Sequence, residues 1–295
     1  MKDQKPLLLA PAGSFECLSA AVEAGADAIY FGVEQLNMRA KSVPCIQTED
    51  IPRVADFCRS KSVKAYITLN TTIYDYDRQL LKQIISTCCD AGIDAAIACD
   101  FAVISACREA GLPVHISTQA NVSNIDALRF YAGFADLVVL SRELSLSQVE
   151  NIIHEIKTRQ IKGPSGQLMQ IEIFVHGALC MAVSGKCYLS LHSAGSSANR
   201  GACIQNCRHA FEVRDKDSGQ EYQIENEYIM SAKDLCTIDF LDKIMAAGVS
   251  VLKIEGRARS ADYVHTTVSA YREAIDAVRE GTFNAEKVQA WKTRL

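Results

Sequence analysis

Between Gly177 and Arg208 the chain reads GALCMAVSGKCYLSLHSAGSSANRGACIQNCR, which sets Cys180, Cys187, Cys203 and Cys207 among small, polar, glycine-punctuated residues. A thiol whose only task is to fill a core has little reason to sit there, so these cysteines read as ligands or reactive groups. Their spacing is C-x6-C-x15-C-x3-C, and only the second pair has the close spacing of a zinc knuckle. Four thiolates also hold iron–sulfur clusters, which accept irregular spacings because a cubane is larger than one ion. Iron–sulfur, zinc and free or redox-active thiols all remain open on spacing alone. From Ile173 to Phe211 there is no Asp or Glu, while Lys186, Arg200 and Arg208 supply positive charge. That imbalance fits either a bound metal–thiolate group or an anionic substrate.

Other chemistry is compatible with the same segment. His176 and His209 lie close in sequence to Cys180 and Cys207 and could activate a thiol, although one catalytic cysteine would leave three clustered ones without a role. Cys17, Cys58, Cys88, Cys89, Cys99 and Cys107 fall at apolar positions of strands or helices and read as small core residues. Cys236, in SAKDLC, is the one other credible ligand and is held as a reserve for one of the four.

The elements that must position these residues repeat one phrase. AGADAIYFG, AGIDAAIACD and AGFADLVVLS each pass from a helix end through an acidic residue into a short apolar run, as a buried parallel strand requires. In order, the predicted strands are PLLLAPAG, DAIYFG, KAYITLN, AAIACD, VHISTQ, DLVVLSREL, IEIFVHG and VLKIEGR. Eight buried strands alternating with helical patterns predict an α/β fold, a (β/α)8 TIM-type barrel over 1–295, with a cysteine-rich insertion at about 177–230 after the seventh strand. Such a barrel keeps its chemistry at the C-terminal strand ends. Arg39, Asn70, Gln119, Arg142 and Arg257 fall there and are the candidate substrate-binding residues, the arginines as forked donors for carboxylate or phosphate. Arg259 belongs to the same set, and Glu172, His176 and Glu255 are the candidate acid/base groups. The later part of the insertion alternates around a DSG turn and predicts a small hairpin.

Composition sets outer bounds. The chain has 295 residues, 48% hydrophobic, with net charge −4, so no overall basic field points to nucleic acid. No run approaches the roughly 20 apolar residues of a membrane span, and MKDQKPLLLAPAGS is too soon interrupted to be a secretory signal. A cytoplasmic location without a membrane partner is the expectation, and twelve cysteines in a reducing compartment read as ligands or core rather than disulfides. Oligomeric state is not legible.

LLAPAGS, GADAIYFG, NMRA, EIFVHGALCMAVSGKCYLS, ANRGACIQNCR, IMSAKDLC and KIEGRARSADYV, in this order over essentially the whole chain, resemble the peptidase U32 family, also called collagenase-like proteases. The resemblance implies a [4Fe-4S] cluster on Cys180, Cys187, Cys203 and Cys207. It further implies oxygen-independent hydroxylation of RNA, dependent on a prephenate-derived co-substrate. The foremost expectation is 5-hydroxylation of the tRNA wobble uridine, with Arg39, Arg142 and Arg257 holding the carboxylates of the co-substrate. Hydroxylation of a 23S rRNA cytidine and peptide hydrolysis are the alternatives, with zinc as the alternative metal and a purely structural cluster in a binding module as a third reading. The C-x3-C pair resembles the RNA-directed branch, whereas a quinone-directed branch lacks its second cysteine and recruits a later one. Larger relatives carry a small C-terminal β domain beyond the YREAID helix, and the expectation from the resemblance is that a chain reading to WKTRL lacks it.

Overall fold

All eight predicted strands form, and they close on themselves. The computed structural model describes residues 5–40, 46–222 and 229–295. Strands β1 (Leu7–Ala12), β2 (Ala28–Phe31), β3 (Lys64–Leu69), β4 (Ala95–Ala98), β5 (Val114–Ile116) and β6 (Leu137–Val139) pair in chain order, all parallel. β7 (Gln170–Gly177) pairs with β6 on one side and β11 (Val251–Ile254) on the other, and β11 pairs with β1. The ring is a (β/α)8 barrel.

Its strands read as continuous apolar runs because both faces are buried. Inside, Leu9, Tyr30, Tyr66, Ile97, Val139 and Val251 pack on one another. Outside, Leu8, Phe31, Ile67, Ile171 and Ile254 pack beneath the helices. The helices are α1 (Phe15–Glu23), α2 (Ile51–Ser60), α3 (Arg78–Ala91), α4 (Phe101–Ala110), α5 (Ile125–Tyr131) and α6 (Leu146–Thr158). Side chains of Ser14, Asp100, Asn124 and Ser145 cap four of them by accepting a first-turn N–H, which fixes where each loop turns from the barrel mouth into its helix.

After β7 the chain leaves the barrel and crosses its mouth. This excursion contains the short helix α7 (Leu189–Ala194), a minimal hairpin of β8 (Val213–Arg214) and β9 (Glu221–Tyr222), and β10 (Leu235–Cys236), which pairs antiparallel with the end of β7. The predicted hairpin is therefore present, with residues 223–228 outside the described residues. Helices α8 (Leu241–Ala247), α9 (Ala261–Arg279) and α10 (Ala285–Arg294) complete the outer layer. No helix of the described residues is long and apolar enough to cross a membrane.

Candidate functional site at the barrel mouth

The insertion is held down at two corners. Ser184, with a left-handed φ of 49°, donates its hydroxyl to Asn121 Oδ1 (2.7 Å) and its N–H to Glu143 Oε1 (3.2 Å). Burial opposes the Glu143 charge, but hydrogen bonds from Ser141 and the Ser184 N–H, with Arg142 nearby, hold its carboxyl below the usual range. At the other corner Arg200 grips Asp77 through Nη1–Oδ2 (2.6 Å) and Nη2–Oδ1 (3.1 Å). Gly201 (φ 80°) lies so close to the Asn37 carbonyl that a Cβ would overlap it, which lets the insertion backbone rest on the β2 loop.

Beneath this cover is a cavity of about 130 Å³. Tyr30, Thr68, Ile97, Phe174 and Lys253 form its floor, Met38, Asn70, Ser117 and Gln119 its sides, and the insertion its roof. Cys180, Cys187, Cys203 and Cys207 all border it. Burial raises the Cys207 thiol, and Cys180, Cys203 and Cys187 raise it further, so the four sulfurs share one electrostatic neighbourhood. Donors are turned toward several of them: Ala182 N–H toward Cys180 Sγ (3.4 Å), Leu189 N–H toward Cys187 Sγ (3.4 Å) and Ser190 Oγ toward Cys203 Sγ (4.0 Å). Such donors stabilise thiolate and are common around metal-bound sulfur. Among the described residues, no three His, Cys, Asp or Glu side chains converge tightly enough to chelate a single ion; the thiols ring the cavity wall instead.

All five candidate substrate-binding residues line the cavity. Asn70 Nδ2 donates to Gln119 Oε1 (3.0 Å), and the Ser117 hydroxyl reaches the same oxygen. Arg257, nearly buried on the β11 exit, donates Nη1 to Asn37 Oδ1 (2.9 Å) and Thr68 Oγ1 (2.8 Å), both neutral acceptors. Gly32 makes that possible, since a Cβ there would meet Arg257 Nη1 at 2.5 Å and Asn37 Cγ at 2.7 Å. Arg142 lies over the Phe174 ring at 5.0 Å and donates to the Ala178 carbonyl (3.4 Å). Arg39 pairs with Glu255 (Nη2–Oε1, 3.5 Å). Among the described residues, five cationic side chains line the cavity, Arg39, Arg142, Arg208, Arg257 and Lys253, against the single carboxylate of Glu255. The space is built for negative charge.

The three candidate acid/base groups separate. Glu255 faces the cavity, but Glu172 and His176 do not line it. Glu172 points into the barrel beneath the floor, fully buried, with Oε1 2.7 Å from Lys253 Nζ and Oε2 without a partner. His176 is turned outward by a register shift: Lys253 pairs with Phe174 but Ile254 with His176, so β7 carries an extra residue at Val175. A bulge of this kind inverts the alternation that would have aimed residues 172, 174 and 176 at one face. His176 instead packs on Tyr271 of α9, its Nδ1 3.4 Å from the hydroxyl, and burial lowers its pKa to about 4. Arg259 likewise leaves the site and pairs with Asp234 (2.8 Å). Cys236 does not open a helix; it sits in β10 opposite His176, beside the outer core and away from the cavity that the other four cysteines border.

Lys253 is the cavity residue that sequence reasoning missed. Its signal was a lysine in the middle of the otherwise apolar run VLKI, where only a partner inside the barrel could keep it charged. Burial lowers its pKa, and Glu172 opposes that shift.

The chain is similar over nearly its whole length to proteins of known sequence family. Residues 13–295 match the family model described as Peptidase family U32. A collagenase of Porphyromonas gingivalis is 54% identical over 288 residues, 98% of this chain and 70% of that protein. The tRNA hydroxylation protein P1 of Bacillus subtilis is 34% identical over 281 residues, 93% of this chain and 64% of that protein. The 23S rRNA 5-hydroxycytidine C2501 synthase of Escherichia coli is 32% identical over 291 residues, 97% of this chain and 42% of that protein. With the barrel, the cysteine-bearing roof and a match running from the end of the first strand to the last helix, this chain belongs to peptidase family U32.

Proposed function

We propose that this chain is an iron–sulfur-dependent RNA-modifying enzyme whose substrate is a tRNA wobble uridine, hydroxylated at C5. The observation that carries the reading is the placement of Cys180, Cys187, Cys203 and Cys207 around one cation-lined cavity, with donors turned toward their sulfurs. Four thiolates bordering one cavity suit a [4Fe-4S] group, with a zinc ion as the alternative for the same four sulfurs. When bound, such a cluster, held by four thiolates, would supply electron transfer to the cavity. The rest belongs to the protein. Arg39, Arg142 and Arg257 would hold the carboxylates of a small co-substrate, prephenate-derived in this reading, with Lys253 beneath it. Asn70 and Gln119 present amide edges suited to a pyrimidine turned out of its strand, and Glu255, pinned by Arg39, is the carboxylate placed to accept or return a proton. Relatives named for tRNA and rRNA hydroxylation support an RNA substrate, and hydroxylation of a 23S rRNA cytidine is the variant of the same chemistry.

A peptidase is the second reading, favoured by the collagenase name of the 54%-identical relative. It needs a metal-bound water or a base beside a thiol; of the two candidate bases, His176 is packed on Tyr271 outside the cavity and His209 does not line it. Anaerobic purification with metal analysis tests the cofactor: the expected protein is brown with several irons per chain, Cys203→Ala abolishes the colour and Cys236→Ala keeps it. A colourless protein with stoichiometric zinc would overturn the cluster. Nucleoside mass spectrometry of tRNA from a deletion strain tests the reaction, and unchanged 5-hydroxyuridine would overturn it.

A further inference from the structure

Two tyrosines on the loop between β3 and α3 are more exposed than packing explains. Tyr74 and Tyr76 are 48% and 75% exposed, and neither ring packs into the hydrophobic core. They stand edge to face, centroids 5.6 Å apart, on the loop between β3 and α3, a few residues beyond the cavity-lining Asn70. Arg200, a short step along the insertion from the cavity-lining Ala198, lies 4.4 Å from the Tyr74 centroid and 5.6 Å from that of Tyr76. Both terminal nitrogens of its guanidinium are engaged, donating to both Asp77 oxygens, to the Thr72 carbonyl (2.7 Å) and to the Tyr76 hydroxyl (3.3 Å). Fastening the insertion accounts for Arg200 and Asp77. It does not account for two ring faces left in water.

In the first part of the insertion, through Phe211, charge has one sign. No Asp or Glu occurs from Ile173 to Phe211. Lys186 is exposed, Arg208 borders the cavity, and neither makes an ion pair among the described residues. On the tyrosine side, exposed Asp75 lies between the two tyrosines in sequence, and Asp77 offsets Arg200. The rim thus divides into aromatic faces without net positive charge and a cationic wall. Single-stranded nucleic acid is bound by that division, with bases stacked on aromatic rings and phosphates tracking the cations. A polyproline-type peptide also docks on exposed aromatics but has no use for an acid-free cationic wall beside them.

Resting on the RNA reading above, we propose that Tyr74 and Tyr76, stiffened by Arg200, form a stacking ledge for unpaired bases flanking the nucleotide that enters the cavity, while Lys186 and Arg208 take the adjoining phosphates. The ledge sets which strand segment can present its base, and it acts through binding rather than through the reacting atoms.

The test is fluorescence anisotropy of a labelled anticodon stem–loop RNA titrated with the whole 295-residue chain. Tyr74→Ala and Tyr76→Ala are each expected to weaken binding about fivefold or more, the equivalent of about 1 kcal/mol of stacking per base. Tyr76→Phe should bind like wild type, and Tyr76→Leu, which keeps apolar bulk without an aromatic face, should bind like Tyr76→Ala. Thermal melts should show all four variants cooperatively folded at the assay temperature, since the rings stand outside the core. If wild type binds the RNA and the alanine and leucine variants bind it equally well, the ledge is overturned and the RNA reading survives. If wild type does not bind the RNA, both are overturned. Tyrosine-dependent binding of a labelled Pro-Hyp-Gly repeat peptide in that case would assign the ledge to the peptidase reading.

Discussion

Lys253 and Glu172 form a buried pair, 2.7 Å apart, whose side chains are 5% and 0% exposed. Bringing two charges inside costs about as much as their attraction returns, but removing one partner strands the other. Lys253→Met is expected to destabilise the protein by about 3–5 kcal/mol, because Glu172 already has one oxygen without a partner. Adding Glu172→Gln should recover much of that loss, which urea denaturation of the single and double variants would measure. His176 gives a second residue-scale prediction. Burial lowers its pKa from 6.5 to about 4. Between those values the unfolded chain therefore binds a proton that the folded one refuses. The stabilising contribution is complete above pH 6.5 and is lost as pH falls toward 4, by about 3 kcal/mol in all. His176→Asn should flatten this part of the stability profile. An unchanged slope would mean that His115, whose pKa burial lowers to about 3, dominates it.

At the scale of elements, strand ends decide the site. β2 stops at Phe31 and Gly32 follows, leaving a gap through which Arg257 from the end of β11 reaches Asn37 and Thr68. Gly32→Ala is expected to displace Arg257 and cost about 1–3 kcal/mol by overpacking, read as a lower melting temperature together with weaker anion binding. β7 carries the other decision. Its bulge at Val175 sends His176 to the outer layer while leaving Phe174 on the cavity floor. One extra residue in one strand thus separates two groups whose sequence positions look equivalent.

For the whole molecule, the roof must be fastened to the barrel before the cysteines share a cavity. Among the described residues, Arg200 and Asp77 fasten it by a two-bond ion pair with side chains 21% and 8% exposed, and Arg200 holds the Asp77 carboxyl below its usual range. Arg200→Ala should cost about 1–3 kcal/mol and speed proteolytic cleavage within the insertion more than within the barrel, which limited proteolysis followed by mass spectrometry would detect. The barrel itself was legible in the sequence. Eight continuous apolar runs separated by helical patterns leave few ways to bury both faces of every strand, and all eight form where the pattern puts them. The cysteine segment was legible for the same kind of reason, since four thiols in polar, glycine-rich chain have no packing role to explain them. What the linear pattern could not carry was parity and distance. Glu172 reads as a strand-end acid until the barrel interior supplies Lys253, His176 reads as a mouth residue until the bulge inverts it, and Cys236 reads as a ligand until β10 holds it beside the outer core. Residue types and local periodicity depend on the chain alone, so the sequence determined the barrel, the four thiols and the arginines at the strand ends. Which of these groups face one another depends on register, and register is settled only when strands far apart in the chain pair and close the ring.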